Sequence, residues 1–179
     1  MLAPQQRFRT LMGRFVTGVT VVAASAEENV AAMTANAVTA VSLDPLLLLV
    51  CIGNQSRLLL TLLERGVFSV NVLAAGQDDI SRHYGGSPQA VSPARWMPGV
   101  MDEPLLIGAN ASFSCRVDTA HRVGDHTVIY GAVIDMTAAD PVAPALIYAA
   151  GRYSDVALPP DARCRPSSPP HFAQAWEGS

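Results

Sequence analysis

Residues 32–45 carry the strongest structural signal in this chain. The segment reads Ala-Met-Thr-Ala-Asn-Ala-Val-Thr-Ala-Val-Ser-Leu-Asp-Pro and is apolar and β-prone, yet it holds four short polar side chains, those of Thr34, Asn36, Thr39 and Ser42. A buried hydroxyl or amide without a hydrogen-bond partner costs about 1–3 kcal/mol. Pairing across a sheet would satisfy these groups, and so would a flat ligand with polar edges. The segment therefore predicts a strand that pairs its polar residues internally or lines a ligand site.

The rest of the chain has the pattern of short strands with a few helices between them. Strands are predicted at 19–24, 30–41, 46–52, 67–73, 111–118, 127–137 and 145–149, and helices from Phe8 to near Thr17, at 57–64 after a Ser56 N-cap and at 77–84. The continuous apolar run 46–52 predicts a strand buried on both faces. Residues 85–104, rich in Gly, Pro and Ser, predict a loop. This order is not a βαβ alternation, and no Gly-x-Gly-x-x-Gly or Walker A motif is present. We therefore expect a mainly β, single-domain barrel with a few helices.

Composition and charge exclude several classes of function. The charged share is 15%, below the usual share of about 25%, so part of the apolar surface is expected in the interface of a homodimer. The net charge of −3 provides no basic surface for nucleic acid. The longest apolar run, 46–52, is far shorter than the roughly 20 residues that span a bilayer. The scattered Cys51, Cys115 and Cys164 match no zinc pattern, so we expect no metal site and free thiols in a cytoplasmic protein.

A series of short motifs covers most of residues 8–153 in order. The most specific block is Met-Thr-Ala-Asn at 33–36 followed by Thr-Ala-Val-Ser-Leu-Asp-Pro at 39–45. It is preceded by Thr-Gly-Val-Thr-Val-Val at 17–22 and followed by Gly-Asp-His at 124–126 and Gly-Arg-Tyr at 151–153. In these motifs the chain resembles the flavin reductase-like family of FMN-binding split-barrel proteins. The resemblance implies a Greek-key split β-barrel, usually dimeric, with the flavin near the subunit interface.

The resemblance also implies a set of site residues. Those expected to contact the flavin are Thr34, Ala35, Asn36, Ala37, Val38, Thr39, Cys51, Ile52, Ser56, Arg57, His126 and Tyr153. Residues 34–39 would line the ring, and residues 51 and 52 would contact it through their backbone. Ser56 and Arg57, at a helix start, would bind a phosphate, and Tyr153 would close the pocket. His126 would be the catalytic residue, as a positioning group or a proton donor to reduced flavin.

Several of these residues also have simpler interpretations that the local sequence does not exclude. Ser56 fits a plain helix N-cap with a solvated Arg57, Cys51 fits core packing, and His126 fits a turn without a chemical role. Ala37 stands where members of the family often have Ser. The resemblance therefore implies that this chain lacks one hydrogen bond to the phosphate or ribityl group of the flavin.

The function implied by the resemblance is that of an NAD(P)H-dependent flavin reductase. Hydride would pass from NADH or NADPH to FMN or FAD, and the reduced flavin would supply a partner monooxygenase. One alternative is a flavin-binding or haem-binding split-barrel protein without turnover. Another is a flavin-dependent oxidase or reductase acting on a different small substrate. We expect residues 1–158 to form the barrel domain and residues 159–179, rich in Pro and Ser, to form a polar tail.

Overall fold

A computed structural model describes residues 3–27 and 29–156 of the chain. The helices are α1 (Pro4–Met12), α2 (Arg57–Arg65) and α3 (Asp78–Tyr84). The strands are β1 (Thr17–Gly18), β2 (Thr20–Ser25), β3 (Val30–Ala35), β4 (Val38–Leu43), β5 (Leu46–Gly53), β6 (Val67–Val72), β7 (Trp96–Pro98), β8 (Pro104–Leu106), β9 (Ala111–Val123), β10 (His126–Ala138), β11 (Ala145–Ala149) and β12 (Arg152–Val156). The prediction of a mainly β chain with a few helices is confirmed.

The main sheet is antiparallel and curls into an incomplete barrel. Its strand order is β3-β2-β6-β9-β10-β5-β4, so that β3 and β4 form opposite edges although they are consecutive in the chain. Only Asn36 and Ala37 connect these two strands. A two-residue connection cannot span a flat seven-stranded sheet, because neighbouring strands lie about 4.8 Å apart. The two edges therefore meet at this connection, where the Ala37 carbonyl accepts a 3.0 Å hydrogen bond from the Cys51 amide. This is the predicted split barrel.

The interior consists of two apolar clusters that share β2 as a common wall. Val22 is fully buried in the first cluster and Val21 in the second, because successive side chains of a strand point to opposite faces. α2 covers the first cluster with Leu58, Leu59 and Leu62 and ends at Gly66, whose φ of 68° gives the left-handed helix cap that glycine favours. The second cluster is covered by α3, β8 and β11. The two clusters fix β3, the neighbour of β2, between α2 and α3.

The structure corrects three of the predicted elements. The strand predicted at 30–41 is two strands, since the chain crosses from one sheet edge to the other at residues 36–37. The strand at 46–52 is not buried on both faces. Its alternate residues 48, 50 and 52 are buried, whereas 47, 49 and 51 face the partly open side of the barrel. α1 ends at Met12 rather than near Thr17, and none of its residues is buried.

Four strands lie outside the predicted strand ranges: β1, β7, β8 and β12. The segment 85–104, predicted as a loop, contributes β7 and the start of β8, and Gly-Arg-Tyr opens into β12. The β7–β8 hairpin is anchored by buried polar groups: Asn71 Oδ1 accepts the Leu106 amide at 2.9 Å, and the Ser69 hydroxyl donates to the Pro104 carbonyl. The fully buried Glu103 accepts from the Met101 amide and the Ser114 hydroxyl. Ser69 and Asn71 lie 35 residues before their partners in the chain, so local patterning does not reveal the hairpin.

The remaining predictions concern the thiols, the membrane and the tail. Cys51 and Cys115 are free thiols, and Cys164 lies outside the described residues. None of the described helices combines the length and hydrophobicity needed to cross a bilayer. The tail predicted at 159–179 also lies outside the described residues, so the domain boundary at 158 stays a prediction.

Candidate active site

The connection between β3 and β4 is the polar corner of the candidate site. Asn36 and Ala37 are both exposed there. Within residues 3–27 and 29–156, neither the Asn36 side chain nor the backbone amides of residues 36 and 37 donate to a protein acceptor. Strand geometry cannot use these donors, because the chain is crossing between two sheet edges at this point. The corner therefore presents unused hydrogen-bond donors to a ligand.

An apolar groove opens on one side of this corner. The groove has a volume of about 580 Å³, and Asn36 lies at its margin together with Val38 and Thr39 of β4. Its walls are mainly aliphatic and aromatic, with Leu47 of β5 and Phe113 of β9 among them. Ligand pockets are typically apolar clefts of about 300–1,000 Å³ with a few placed polar groups. The groove has the size and character required by a flat ring system with one polar edge.

A smaller cavity opens on the other side of Asn36. Its volume is about 200 Å³, and its walls include Thr34, Tyr148 and Tyr153. Thr34 does not offer its hydroxyl proton to this cavity, because Thr34 Oγ1 donates to the Ser81 carbonyl at 2.7 Å. Tyr148 and Tyr153 are directly opposite each other on β11 and β12, with ring centroids 5.1 Å apart. The small cavity thus has an aromatic wall facing a polar corner.

Three of the other predicted contact residues are engaged within the protein. The Ala35 carbonyl accepts the Thr20 hydroxyl at 2.6 Å, and Ala35 itself is buried. The Cys51 amide bonds to Ala37, and the Ile52 side chain is fully buried in the first apolar cluster. Burial raises the pKa of the Cys51 thiol, which keeps the thiol protonated and unreactive. These residues therefore support the polar corner through contacts within the protein.

The start of α2 provides a separate polar site. Ser56 occupies the N-cap position, but its side chain makes no capping hydrogen bond, and Arg57 is exposed. Both residues line a depression with Met33, the neighbour of Thr34 on β3. The first amides of a helix have no intrahelical partner, and the helix dipole places positive potential there. With the Arg57 guanidinium, this end of α2 is suited to bind a phosphate.

His126 lies at the tip of the β9–β10 hairpin, beside Ser56. Its Nδ1 donates to Asp125 Oδ1 at 2.8 Å, and this hydrogen bond, together with the imidazole charge, lowers the pKa of the exposed Asp125 carboxyl. His126 and Ser56 line one polar concavity with Arg122. The structure thus brings His126 close to the predicted phosphate site and places it outside the cavity that Asn36 shares with Tyr153.

Sequence reasoning did not identify two residues that organise the site. Asn54 holds the β9–β10 turn against α2, since its Nδ2 donates to the Gly124 carbonyl and its Oδ1 accepts the Thr127 hydroxyl. The sequence does contain a signal for this role, because an asparagine between a buried strand and the start of a helix can hydrogen-bond to both neighbouring segments. Ser81, buried on α3, bonds to both Thr34 and Tyr153. From the sequence, the position of Ser81 in a helix predicts only that it packs against the core. Its two hydrogen bonds are not predictable, because both partners are distant in sequence.

Taken together, these features define a class of protein: an incomplete antiparallel barrel with an apolar groove, a polar corner and a helix start whose free amides are suited to an anion. This arrangement is suited to a flat, phosphorylated heterocycle. The flavin reductase like domain family matches residues 12–157. The chain therefore belongs to this family, as its motifs predicted.

Two relatives in sequence and one solved structure illustrate the relationship. The chain is 35% identical to an NADH-dependent FAD reductase of Streptomyces globisporus over 170 residues, 90% of this chain and 91% of the relative. It is 32% identical to HsaB of Mycobacterium tuberculosis, the reductase subunit of a flavin-dependent monooxygenase, over 83% of this chain and 81% of the relative. The solved structure of Streptomyces globisporus NADH:FAD oxidoreductase SgcE6 with NAD and FAD fragments matches with a TM-score of 0.78 and 34% identity, covering 91% of this chain and 99% of that structure.

Proposed function

We propose that this protein is an NADH:flavin oxidoreductase that reduces FMN or FAD and supplies the reduced flavin to a monooxygenase. The observation that carries the proposal is the position of Asn36, which borders both the 580 Å³ apolar groove and the 200 Å³ aromatic cavity. Two ring ligands, one in each space, would meet at this single residue. Hydride transfer requires such direct contact between the donor and acceptor rings.

Different residues around the β3–β4 connection and the start of α2 would bind different parts of the flavin. The groove at Val38 and Thr39 would hold the tricyclic ring, and the free donors at Asn36 and Ala37 would orient its polar edge. Ser56 and Arg57 would hold the phosphate. When bound, the flavin supplies the electron-accepting chemistry, so the protein needs no nucleophile. His126, fixed by Asp125, would act as a positioning group at the phosphate side, where its Nε2 remains available.

A homodimer is part of this proposal. Phe8 and Phe15 are 67% and 68% exposed, and Leu43 at the groove margin is 62% exposed. Phe15 and Leu43 both line the apolar groove. Exposed apolar side chains of this size are typical of protein interfaces when they form a patch. We also propose a cytoplasmic location and a soluble monooxygenase as the recipient of reduced flavin. We further propose that NADPH can replace NADH as the hydride donor.

Steady-state kinetics test the proposed function directly. Oxidation of NADH and of NADPH is followed at 340 nm with FMN, FAD or riboflavin as the varied acceptor. We expect the purified protein to accelerate NADH oxidation and to saturate with flavin as a substrate does. Flavin that stays bound through purification without any nicotinamide oxidation would instead identify a flavin carrier and would refute the reductase proposal.

Arg57→Ala tests the phosphate site. A hydrogen bond to a charged group contributes about 1.5–3 kcal/mol, so we expect the Kd for FMN to rise roughly tenfold or more. The Kd for riboflavin, which lacks the phosphate, should not change. Arg65→Ala is the matched control, because Arg65 lies at the opposite end of the same helix, where its Nε donates to the Ser25 carbonyl. Equal weakening of FMN and riboflavin binding would contradict the assignment.

A further inference from the structure

Ser81 joins three elements around the small cavity. Its side chain is fully buried on α3, next to Ile80, which packs into the second apolar cluster. The Ser81 carbonyl accepts the Thr34 hydroxyl of β3 at 2.7 Å, and the Ser81 hydroxyl is hydrogen-bonded to the Tyr153 hydroxyl of β12 at 2.8 Å. A single residue thus connects the polar wall of the cavity to its aromatic wall.

Tyr153 is restrained from three directions. Its hydroxyl is held by Ser81, and its ring packs against Tyr148 on the neighbouring strand. The Arg82 guanidinium lies 4.7 Å from the centroid of the Tyr153 ring and also pairs with Asp78. Cation–π and aromatic contacts fix the plane of a ring, whereas the hydroxyl contact fixes its rotation and depth. Tyr153 therefore presents a rigid face to the cavity.

We propose that Ser81 is a positioning residue for the nicotinamide donor, acting through Tyr153. This inference rests on the proposed function. The small cavity has about a third of the volume of the apolar groove, so it accommodates a single ring with its carboxamide rather than a fused tricycle. The Ser81–Tyr153 hydrogen bond holds the Tyr153 ring as the wall against which the nicotinamide lies. Loss of this bond removes the restraint on the rotation and depth of the ring, and the cost of ordering the ring again on binding weakens the donor's affinity.

Three variants test this role: Ser81→Ala, Tyr153→Phe and the double variant. Because one hydrogen bond contributes modestly to binding, we expect each single variant to raise the KM for NADH about fivefold. Both changes remove the same bond, so the double variant should show the same increase as either one alone. The Kd for flavin, measured by fluorescence quenching, should stay within twofold of the wild-type value, since the groove is untouched.

Ser92→Ala is the matched control. Ser92 is exposed and makes the same kind of hydrogen bond, 3.0 Å to the Tyr84 hydroxyl, away from the small cavity. We expect its KM for NADH to equal that of the wild type. If Ser81→Ala fails to fold, Tyr153→Phe still decides the question, because it keeps the ring and removes only the hydroxyl.

Several outcomes would overturn the inference. An unchanged KM for NADH in Tyr153→Phe, or additive increases in the double variant, would show that the bond does not position the donor. Equal losses of NADH and flavin binding with a lower Tm would show a purely structural role. If the variants give one of these results while the wild-type protein oxidises NADH normally, only this inference fails and the proposed function stands. If the wild type shows no flavin-dependent oxidation, the proposed function fails as well.

Discussion

Replacing Gly131 by valine is expected to destabilise the protein by about 3 kcal/mol, near the upper end of the range for overpacking a core. Gly131 lies on β10, facing the first apolar cluster. A Cβ at this position would lie 2.6 Å from Cζ of Phe68 and 3.2 Å from Cβ of Cys115. Phe68 is fully buried, so its ring cannot move aside without displacing other core residues. Urea unfolding of the purified variant measures the change.

A second strand glycine provides the control for this prediction. A Cβ added at Gly18 meets no atom within 4 Å, so Gly18→Ala should leave the free energy of unfolding nearly unchanged. Shrinking the opposing side chain should rescue the defect, and we expect Gly131→Val combined with Phe68→Leu to recover part of the lost stability. Similar unfolding midpoints for Gly131→Val and Gly18→Ala would show that the core at Phe68 adapts freely.

The fold could be predicted from the sequence where local patterning decides it. β2, β5 and β6 have apolar runs bounded by turn residues, and α2 has a leucine face closed by Gly66. These elements are predicted correctly because each of them buries its apolar side whichever elements pack against it. The same reasoning failed at residues 36–37, where a continuous β-prone segment is interrupted. The break depends on curvature of the whole sheet, which no window of sequence contains.

The candidate site shows the same division between local and non-local information. The resemblance identified Asn36, Ser56 and Tyr153, all of which border concave surfaces in the structure. It did not show that the hydroxyl of Thr34 is used internally, because its acceptor Ser81 lies 47 residues further along the chain. The pairing is created by α3 packing beside β3. Hydrogen-bond partners at such separations follow from topology, so they become visible only after the strand order is known.

Alkaline pH is expected to weaken the protein through one buried thiol. Burial, and secondarily the charge of Glu103, raise the pKa of Cys115 from 9.0 to about 12. Below pH 9 the thiol is protonated in both the folded and the unfolded chain, so it contributes no pH dependence. Above pH 9 the unfolded chain releases the proton while the folded chain keeps it. The free energy of unfolding therefore falls by about 1.4 kcal/mol per pH unit, or roughly 4 kcal/mol by pH 12.

The composition of the chain makes this effect measurable. All 12 basic residues are arginines, so no lysine titrates between pH 9 and 12, and the difference between variants isolates the thiol. Cys115→Ala should lower stability at pH 8 through lost packing but should show a flatter decline at higher pH. Cys51→Ala is the matched control, because Cys51 is only partly buried and should leave most of the decline in place. Urea unfolding at pH 8, 9, 10 and 11 under reducing conditions gives the slopes. Parallel slopes for the wild type and Cys115→Ala would mean that the Cys115 thiolate is tolerated in the core, which contradicts the burial of this side chain between Phe68 and Gly131.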